Sequence, residues 1–285
     1  MSKSIALVTD STCDIPPALV EQYGIKIIPQ VVVWGDEVLR DRLDISPLEF
    51  YQRLGKDAVL PTTSQPSPKD FERVYRAEIE KGATEIVIFT VSSAMSGTYR
   101  LAKQVGDEMP VPVQVVDSKS PTMSLGWQVL TAARAREAGA SSMDMVAAAE
   151  TARQNMAQIV LMDSLDHLLR TGRIGKATQM LGSMINLKPL VRINHQTGEV
   201  EPAGRARTRK KAIKVLIESF FAELDTSKPL HIAVLHGNAL DEAEALAERI
   251  QQEYAPKELI INMTGPVLGI NTGPSALALS GFAEA

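Results

Sequence analysis

The chain opens with the stretch IALVTDSTCDIPPALVEQYG, residues 5–24, which decides the class of the fold. Its beginning, IALV, is a short apolar run typical of a strand buried in a parallel sheet. Pro16-Pro17 then begin a helix that Gly24 ends, because proline is favoured at the first helical position and glycine just beyond the last. The stretch therefore predicts a strand, a polar turn and a helix.

The same alternation continues through the first half of the chain. Helices are predicted to begin at Ser46, Ser67, Ser120 and Ser141, each a capping residue, and residues 60–66, LPTTSQP, are predicted to form a polar loop. Strands that alternate with helices predict a parallel sheet with helices on both faces. The predicted strands are residues 5–8, 25–34 with a hairpin into 37–40, 85–91 and 113–117.

The second half of the chain has a different pattern. Residues 187–194 and 198–204 flank the turn HQTG, which predicts a hairpin and hence antiparallel pairing. A strand–helix–strand unit is predicted at 230–263, followed by a glycine-rich loop and a final strand in 265–282. We therefore expect an α/β protein of two domains: residues 1–155, an α/β/α domain with a parallel sheet, and residues 156–285, an α/β domain with a mixed sheet.

Composition narrows the functional classes. The 285 residues are 45% hydrophobic, with a net charge of −4, which argues against a general nucleic-acid or anionic-membrane surface. The single cysteine, Cys13, cannot form an intrachain disulfide, and a reducing compartment is the default for such a chain. No apolar run approaches the ~18 residues of a membrane span, and the N-terminal run is too short for a signal peptide. We expect a cytoplasmic protein.

Polar side chains follow three predicted parallel strands of the first half. They are Thr9 to Thr12, Ser92-Ser93 and Asp117-Ser118. Open parallel sheets bind ligands outside the carboxyl ends of their strands. The loop that carries Thr62 and Thr63 could reach the same edge of the sheet.

The turn VSSAMSGTY, residues 91–99, is the most informative of these segments. Its serine hydroxyls and the unpaired N–H groups of the following helix could bind an anion, although serine also caps helices routinely. Walker and GxGxxG motifs are absent from the sequence, and Lys119 is the only basic residue in these turns. A single carboxylate, or a neutral hydroxyl ligand, therefore fits better than a phosphate.

Catalytic motifs are missing from the sequence. There is no Gly-x-Ser-x-Gly, and no His/Cys group has metal-ligand spacing, so we expect no catalytic residue, metal or cofactor. An alternative is a small-molecule enzyme that uses Asp10 or Asp117 at the sheet edge. Two basic segments, residues 170–176 and 205–211, form either a solvated face or a docking patch for an acidic or phosphate-carrying partner.

Seven segments together resemble the DegV family, from about Ile5 to Phe282. In order they are VTDSTCDIP, PTTSQPSP, VSSAMSGTY, VVDSKS, LLRTGRIGKA, RARTRKKA and GINTGPSALAL. The resemblance implies binding of a long-chain fatty acid such as palmitate, stearate or oleate, with its tail in a tunnel between the two domains. It also implies presentation of the acid to an ATP-dependent, dihydroxyacetone-kinase-like partner that makes the acyl phosphate for phospholipid synthesis.

The resemblance also implies roles for individual residues. The carboxylate ligands would be Thr62, Thr63, Ser92, Ser93 and Asn271, with Thr63 and Ser93 the main ones. The kinase-facing arginines would be Arg173, Arg205 and Arg207. The family usually has a histidine where this chain has Asn271, which can donate a hydrogen bond but cannot carry a proton. A stand-alone lipid carrier or sensor therefore remains open. Transient membrane contact is a separate alternative. The segment 161–190 is either part of the tunnel wall or ordinary core.

Overall fold

The computed structural model describes residues 4–182 and 187–285. The strands are β1 (Ile5–Asp10), β2 (Lys26–Ile28), β3 (Val31–Trp34), β4 (Glu37–Arg40), β5 (Thr62–Ser64), β6 (Glu85–Thr90), β7 (Val113–Asp117), β8 (Met156–Leu161), β9 (Lys188–Asn194), β10 (Glu199–Ala206), β11 (Leu230–His236), β12 (Glu258–Met263) and β13 (Leu277–Ala283). The helices are α1 (Pro17–Gln22), α2 (Pro47–Leu54), α3 (Pro68–Glu80), α4 (Thr98–Gly106), α5 (Thr122–Glu137), α6 (Ser142–Gln154), α7 (Asp166–Thr171), α8 (Arg209–Phe221), α9 (Leu240–Tyr254) and α10 (Pro266–Thr272).

A four-stranded parallel sheet, in the order β2-β1-β6-β7, forms the centre of the first half. Because side chains alternate along a strand, Val8 and Ile88 pack with α3 and α4 on one face, while Leu7 and Val87 pack with α5 on the other. The sheet is buried on both sides, as its continuous apolar strands predict.

A small antiparallel sheet, in the order β4-β3-β5, lies beside the parallel sheet. The prediction of a single strand over residues 25–34 is wrong, because the chain leaves the parallel sheet after Ile28 and joins the small sheet at Val31. Pro29 lies at this change of sheet and cannot donate a ladder hydrogen bond. The expectation of a loop at 60–66 is also wrong in part, since residues 62–64 pair with β3 as an edge strand.

The second half contains a six-stranded mixed sheet in the order β10-β9-β8-β13-β11-β12. The predicted hairpin is β9–β10, and the predicted strand–helix–strand unit is β11–α9–β12, with its two strands parallel. One face of the sheet packs against α8 and α9. The other face, with Val160 and Ala278, turns toward the first half.

Helix α5 belongs to the first half but packs against both large sheets. Its residues from Thr122 to Leu130 are all buried, and Ser124 and Trp127 hydrogen bond to Ser280 on β13. A single hydrophobic cluster therefore joins the two halves. Residue 155 lies between the last helix of the first half and β8, and the domain boundary at that residue stays a prediction.

The expected fold class is confirmed: the protein is α/β, with a parallel sheet in one part and a mixed sheet in the other. The glycine-rich loop expected after residue 265 is wrong in part, because residues 266–272 form α10, with Pro266 at the first position. In the described part of the chain, no helix is long and apolar enough to cross a membrane.

Candidate functional site

A cleft lies between the carboxyl edge of the parallel sheet and the inner face of the mixed sheet. Its empty space, including the part open to solvent, is about 1010 Å³. The interior is buried, and the wall formed by the mixed sheet is mostly aliphatic, as expected for a site that takes a largely apolar ligand. Most of this wall is formed by five side chains from four strands and by Met162, which directly follows β8. The five are Val160, Val191, Ile193, Leu235 and Ala278.

The predicted tunnel-wall segment 161–190 contributes only some of its residues to this wall. Met162, Leu168 and Arg173 line the cleft. Ala177 and Met180 are buried in the hydrophobic cluster instead. Residues 183–186 of the same segment lie outside the described residues.

The mouth of the cleft is identified by the lining residues that solvent reaches. Ser64, Gln65 and Arg173 are exposed there, and Thr63 and Ser96 are half-buried. The mouth is therefore polar, and the wall of the interior on the mixed sheet is mostly apolar. An amphipathic ligand with one polar end would match this gradient.

The predicted residue Thr63 lies at this mouth, on the edge strand β5. Its hydroxyl makes no hydrogen bond with any other described residue, so both its proton and its lone pairs are available to a ligand. The neighbouring Thr62 is exposed and does not line the cleft. Arg170 on α7 donates to the carbonyl oxygen of Pro61 (3.0 Å) and so ties the start of this strand to the second half.

The serine turn reaches the cleft through Ser96. The Ser92 hydroxyl is buried and donates to the carbonyl oxygen of Gly198 in the β9–β10 turn (2.9 Å). The Ser93 hydroxyl donates to Asp117 (2.6 Å), and neither serine lines the cleft. Ser96 lines the mouth, with its Oγ 2.8 Å from Oγ1 of Thr98. The roles of Ser92 and Ser93 as carboxylate ligands stay predictions, and this structure does not bring their hydroxyls to the cavity.

Asn271 lies at the mouth, in the last turn of α10. Its amide nitrogen donates to the carbonyl oxygen of Val267 (2.7 Å), one helical turn earlier. Its amide oxygen is buried without a hydrogen-bond partner in the described chain. A second hydrogen on the nitrogen remains for a ligand, and its predicted contact with a carboxylate stays a prediction.

The three predicted docking arginines are all exposed. Arg173 lines the mouth and donates to the carbonyl oxygen of Met95 (3.3 Å), whereas Arg205 lies on β10 and Arg207 follows it. Within the same basic segment, Arg209 is paired with Glu242 (2.8 Å) and has a structural role. The docking role of the other three stays a prediction.

Asp10 and Asp117, the two aspartates that an enzyme could use at the sheet edge, accept hydrogen bonds that stabilise turns. Asp10 accepts from the N–H of Thr12 (3.0 Å), the hydroxyl of Thr12 (2.6 Å) and the N–H of Val91 (2.7 Å), which joins the ends of β1 and β6. Burial raises the pKa of Asp10, and these hydrogen bonds oppose the shift. Asp117 accepts from Ser93 and from the N–H of Lys119. Neither carboxylate lines the cleft.

A buried ionic network lies beside the inner cleft and was missed by the sequence reasoning. Asp14 is paired with Arg42 and also accepts from the Thr122 hydroxyl (2.6 Å) and the N–H of Gly265 (3.0 Å). It therefore joins the parallel sheet to α5 and α10. Next to it, burial raises the pKa of Asp41 to about 7, with Arg42 opposing the shift. Among the described residues, this network included, no group of three or more His, Cys, Asp or Glu side chains could hold a metal ion.

Comparison with known proteins gives a consistent result. The family model described as "Uncharacterised protein, DegV family" matches residues 4–284. A DegV domain-containing protein of Streptomyces coelicolor is 39% identical over 98% of both chains. The structure of a DegV family protein from Thermus thermophilus, described for its fatty acid binding, has a TM-score of 0.92 and 34% identity, covering 99% of this chain and 100% of that one. A stearic-acid-binding protein of Eubacterium ventriosum has a TM-score of 0.90 and 25% identity, covering 99% of this chain and 98% of that one. The chain described here belongs to the DegV family.

Proposed function

We propose that this protein binds a long-chain fatty acid, with the carboxylate at the polar mouth of the cleft and the acyl tail in its interior. The observation that carries the proposal is the gradient of the cleft, from half-buried hydroxyls at Thr63 and Ser96 to an aliphatic wall formed by the mixed sheet. The fatty acid binding described for the Thermus thermophilus and Eubacterium ventriosum relatives supports the same ligand class.

The energetics of the cleft favour such a ligand. A carboxylate removed from water is costly unless it accepts hydrogen bonds. Neutral hydroxyls supply these bonds at the mouth, where Arg173 is the only basic side chain that lines the described cleft. Burial of the tail contributes roughly 0.8 kcal/mol per methylene, so about 15 methylenes supply on the order of 10 kcal/mol before the costs of association. The tail therefore dominates affinity, and the head group sets the orientation.

The ligand class is tested by mass spectrometry of lipid extracted from the purified protein, together with titration of added palmitate. We expect one acyl chain per protein, or uptake of one. Repeated absence of an acyl chain, with no uptake of palmitate, would reject the proposal.

The head-group contacts are tested with two matched pairs of neighbours. Thr63→Ala should weaken palmitate binding by about 1–3 kcal/mol, because a buried carboxylate oxygen loses a donor, and Thr62→Ala serves as its control. Ser96→Ala and Ser93→Ala form the second pair. If Ser93→Ala causes the larger loss, the serine turn must rearrange on binding to free this hydroxyl from Asp117, and the resemblance-based assignment holds. If neither threonine variant changes affinity, the head group binds elsewhere.

The protein would then present the bound acid, in the cytoplasm, to an ATP-dependent kinase that forms the acyl phosphate. The exposed Arg173 at the mouth supports this step, because a partner that reaches the carboxylate would meet it. Arg173→Gln, which removes the charge without placing a second carboxylate beside the ligand, should leave palmitate bound and slow acyl-phosphate formation by a cognate kinase. Loss of palmitate with normal kinase turnover per bound acid would contradict the docking role.

A carrier or sensor that works without a kinase is the second candidate, and Asn271 favours it. Its amide donates to the helix backbone and cannot carry a proton to or from the carboxylate. The two candidates differ in one measurement, since a carrier binds palmitate tightly but yields no acyl phosphate with any cognate kinase and ATP. Asn271→His, which restores the residue usual in the family, should raise turnover only if a kinase is the partner.

A further inference from the structure

The interior of the cleft contains five buried polar side chains, and one of them differs from the rest. Gln158 is 1% exposed, and its amide oxygen has no hydrogen-bond partner in the described chain. No other described residue hydrogen bonds to its amide nitrogen either. Exchanging the oxygen and nitrogen by a flip of the amide would therefore also leave both atoms without a partner. The other four have partners within the protein: Thr12 donates to Asp10, Gln30 to Thr98 and Thr122 to Asp14, and Thr264 pairs with Tyr51.

Strand register places Gln158 at the inner end of the cleft. Alternation along β8 puts Gln158 on the same face as Val160 and Met162, which also line the cavity. Met162 is close to the residues of the mouth. It lies about 13 Å from Gln158 along the direction of the strand, at roughly 3.3 Å per residue. Beyond Gln158 the β9–β10 turn closes on the first half, where Oγ of Ser120 and Nδ1 of His195 are 2.8 Å apart.

The neighbours of Gln158 do not satisfy its amide. Ser280 lies opposite it on β13, but the Ser280 hydroxyl pairs with Ser124 (2.8 Å) and not with Gln158. Val160, Ile193 and Val200 are aliphatic. A buried amide without partners destabilises a protein, and a leucine would line a plain alkyl tunnel without that cost. The geometry points to a ligand group that supplies the missing hydrogen bonds.

From this placement we infer that the inner end of the cleft recognises a hydroxyl group on the distal half of the acyl chain. A hydroxyl can donate to the amide oxygen of Gln158 and accept from its nitrogen, which a methylene cannot do. The ligand class is therefore a hydroxylated long-chain fatty acid. This inference rests on the proposed fatty acid binding and adds a specificity determinant to it.

The test compares palmitate with a set of hydroxypalmitates whose hydroxyl moves from the α carbon to the ω carbon. Affinities are measured by calorimetry with delipidated protein. We expect the tightest member to carry its hydroxyl in the distal half and to bind more tightly than palmitate. In Gln158→Leu, the preference for this acid over palmitate should fall about tenfold, the loss of one buried hydrogen bond. The preference of Gln158→Leu for α-hydroxypalmitate over palmitate should equal that of wild type, because this hydroxyl lies by the mouth.

Control variants keep the test decisive. Val160→Leu, on the same face of β8, should change the affinities for palmitate and the hydroxy acid by the same factor. Gln158→Met, which keeps the length of the side chain, replaces Gln158→Leu if thermal unfolding shows that the leucine variant does not fold. If wild type binds palmitate but prefers no hydroxy acid, or if Gln158 variants leave the preference unchanged, the inference is wrong and a trapped water is the partner of Gln158. Failure of palmitate itself to bind would overturn the proposed function as well.

Discussion

Filling the cleft from its wall should weaken lipid binding in proportion to the volume added. Ala278 lies on β13 between Val160 and Leu235 on the neighbouring strands, and it is 5% exposed. Ala278→Leu adds three carbons at the centre of the apolar wall. If the tail loses room for about three methylenes, binding weakens by about 2.4 kcal/mol, or about 60-fold. Because the new carbons occupy empty apolar space, we expect the free energy of unfolding of the ligand-free variant not to fall.

The assay is titration of wild type and Ala278→Leu with saturated acids of increasing chain length, alongside thermal unfolding of the ligand-free proteins. Wild-type affinity should rise about fourfold per methylene until the cleft is full. The variant should reach its plateau at a shorter chain, and short acids that do not reach Ala278 should bind both proteins alike. Equal stearate affinity in a folded variant would refute the placement of the tail, and so would an equal loss for every chain length.

Three further predictions concern the surroundings of the cleft. Arg170→Met removes the donor to Pro61, so palmitate affinity should fall about fivefold, mainly through faster dissociation in stopped-flow measurements, and an unchanged rate would mean that this contact does not hold the mouth. The buried Asp41 keeps its proton in the folded state up to a pKa of about 7 but loses it near its ordinary value of 3.8 on unfolding. The free energy of unfolding should therefore fall as pH rises through that window, and urea titrations of Asp41→Asn should show a smaller fall; parallel curves would contradict this. Burial raises the pKa of the Cys13 thiol to about 12, so iodoacetamide should label it at neutral pH only when the protein is unfolded, as mass spectrometry would show.

The alternation of strands and helices was predictable from the sequence because each turn carries local signals. Ser46 with Glu49 and Ser141 with Asp144 form the capping boxes that such spacings predict. Two errors also had local signals. Pro29 marked the change of sheet, and Pro266 followed by Gly273 has the proline-first, glycine-last pattern of the short helix α10.

The candidate site was only partly predictable, because side-chain direction in a turn depends on partners distant in sequence. The segment with Ser92, Ser93 and Ser96 does reach the cleft, but Asp117 binds Ser93 and the β9–β10 turn binds Ser92. Only the folded structure shows that Ser96 is the serine left at the mouth. Gln158 did have a sequence signal, since it is the one polar residue in the otherwise apolar strand β8. That its amide has no partner becomes visible only when the neighbouring strands are placed.

Helix α5 limits how a bound molecule could leave the protein. Its buried length packs against both large sheets, so moving the sheets apart would expose the hydrophobic cluster that joins them. Small movements of the segments at the mouth, β5 and α7, therefore cost less free energy than separation of the two large sheets. We expect a ligand to exchange by the former route. If the proposed fatty acid binds in the cleft, this arrangement keeps the apolar interior shielded from water during uptake and release of the acid.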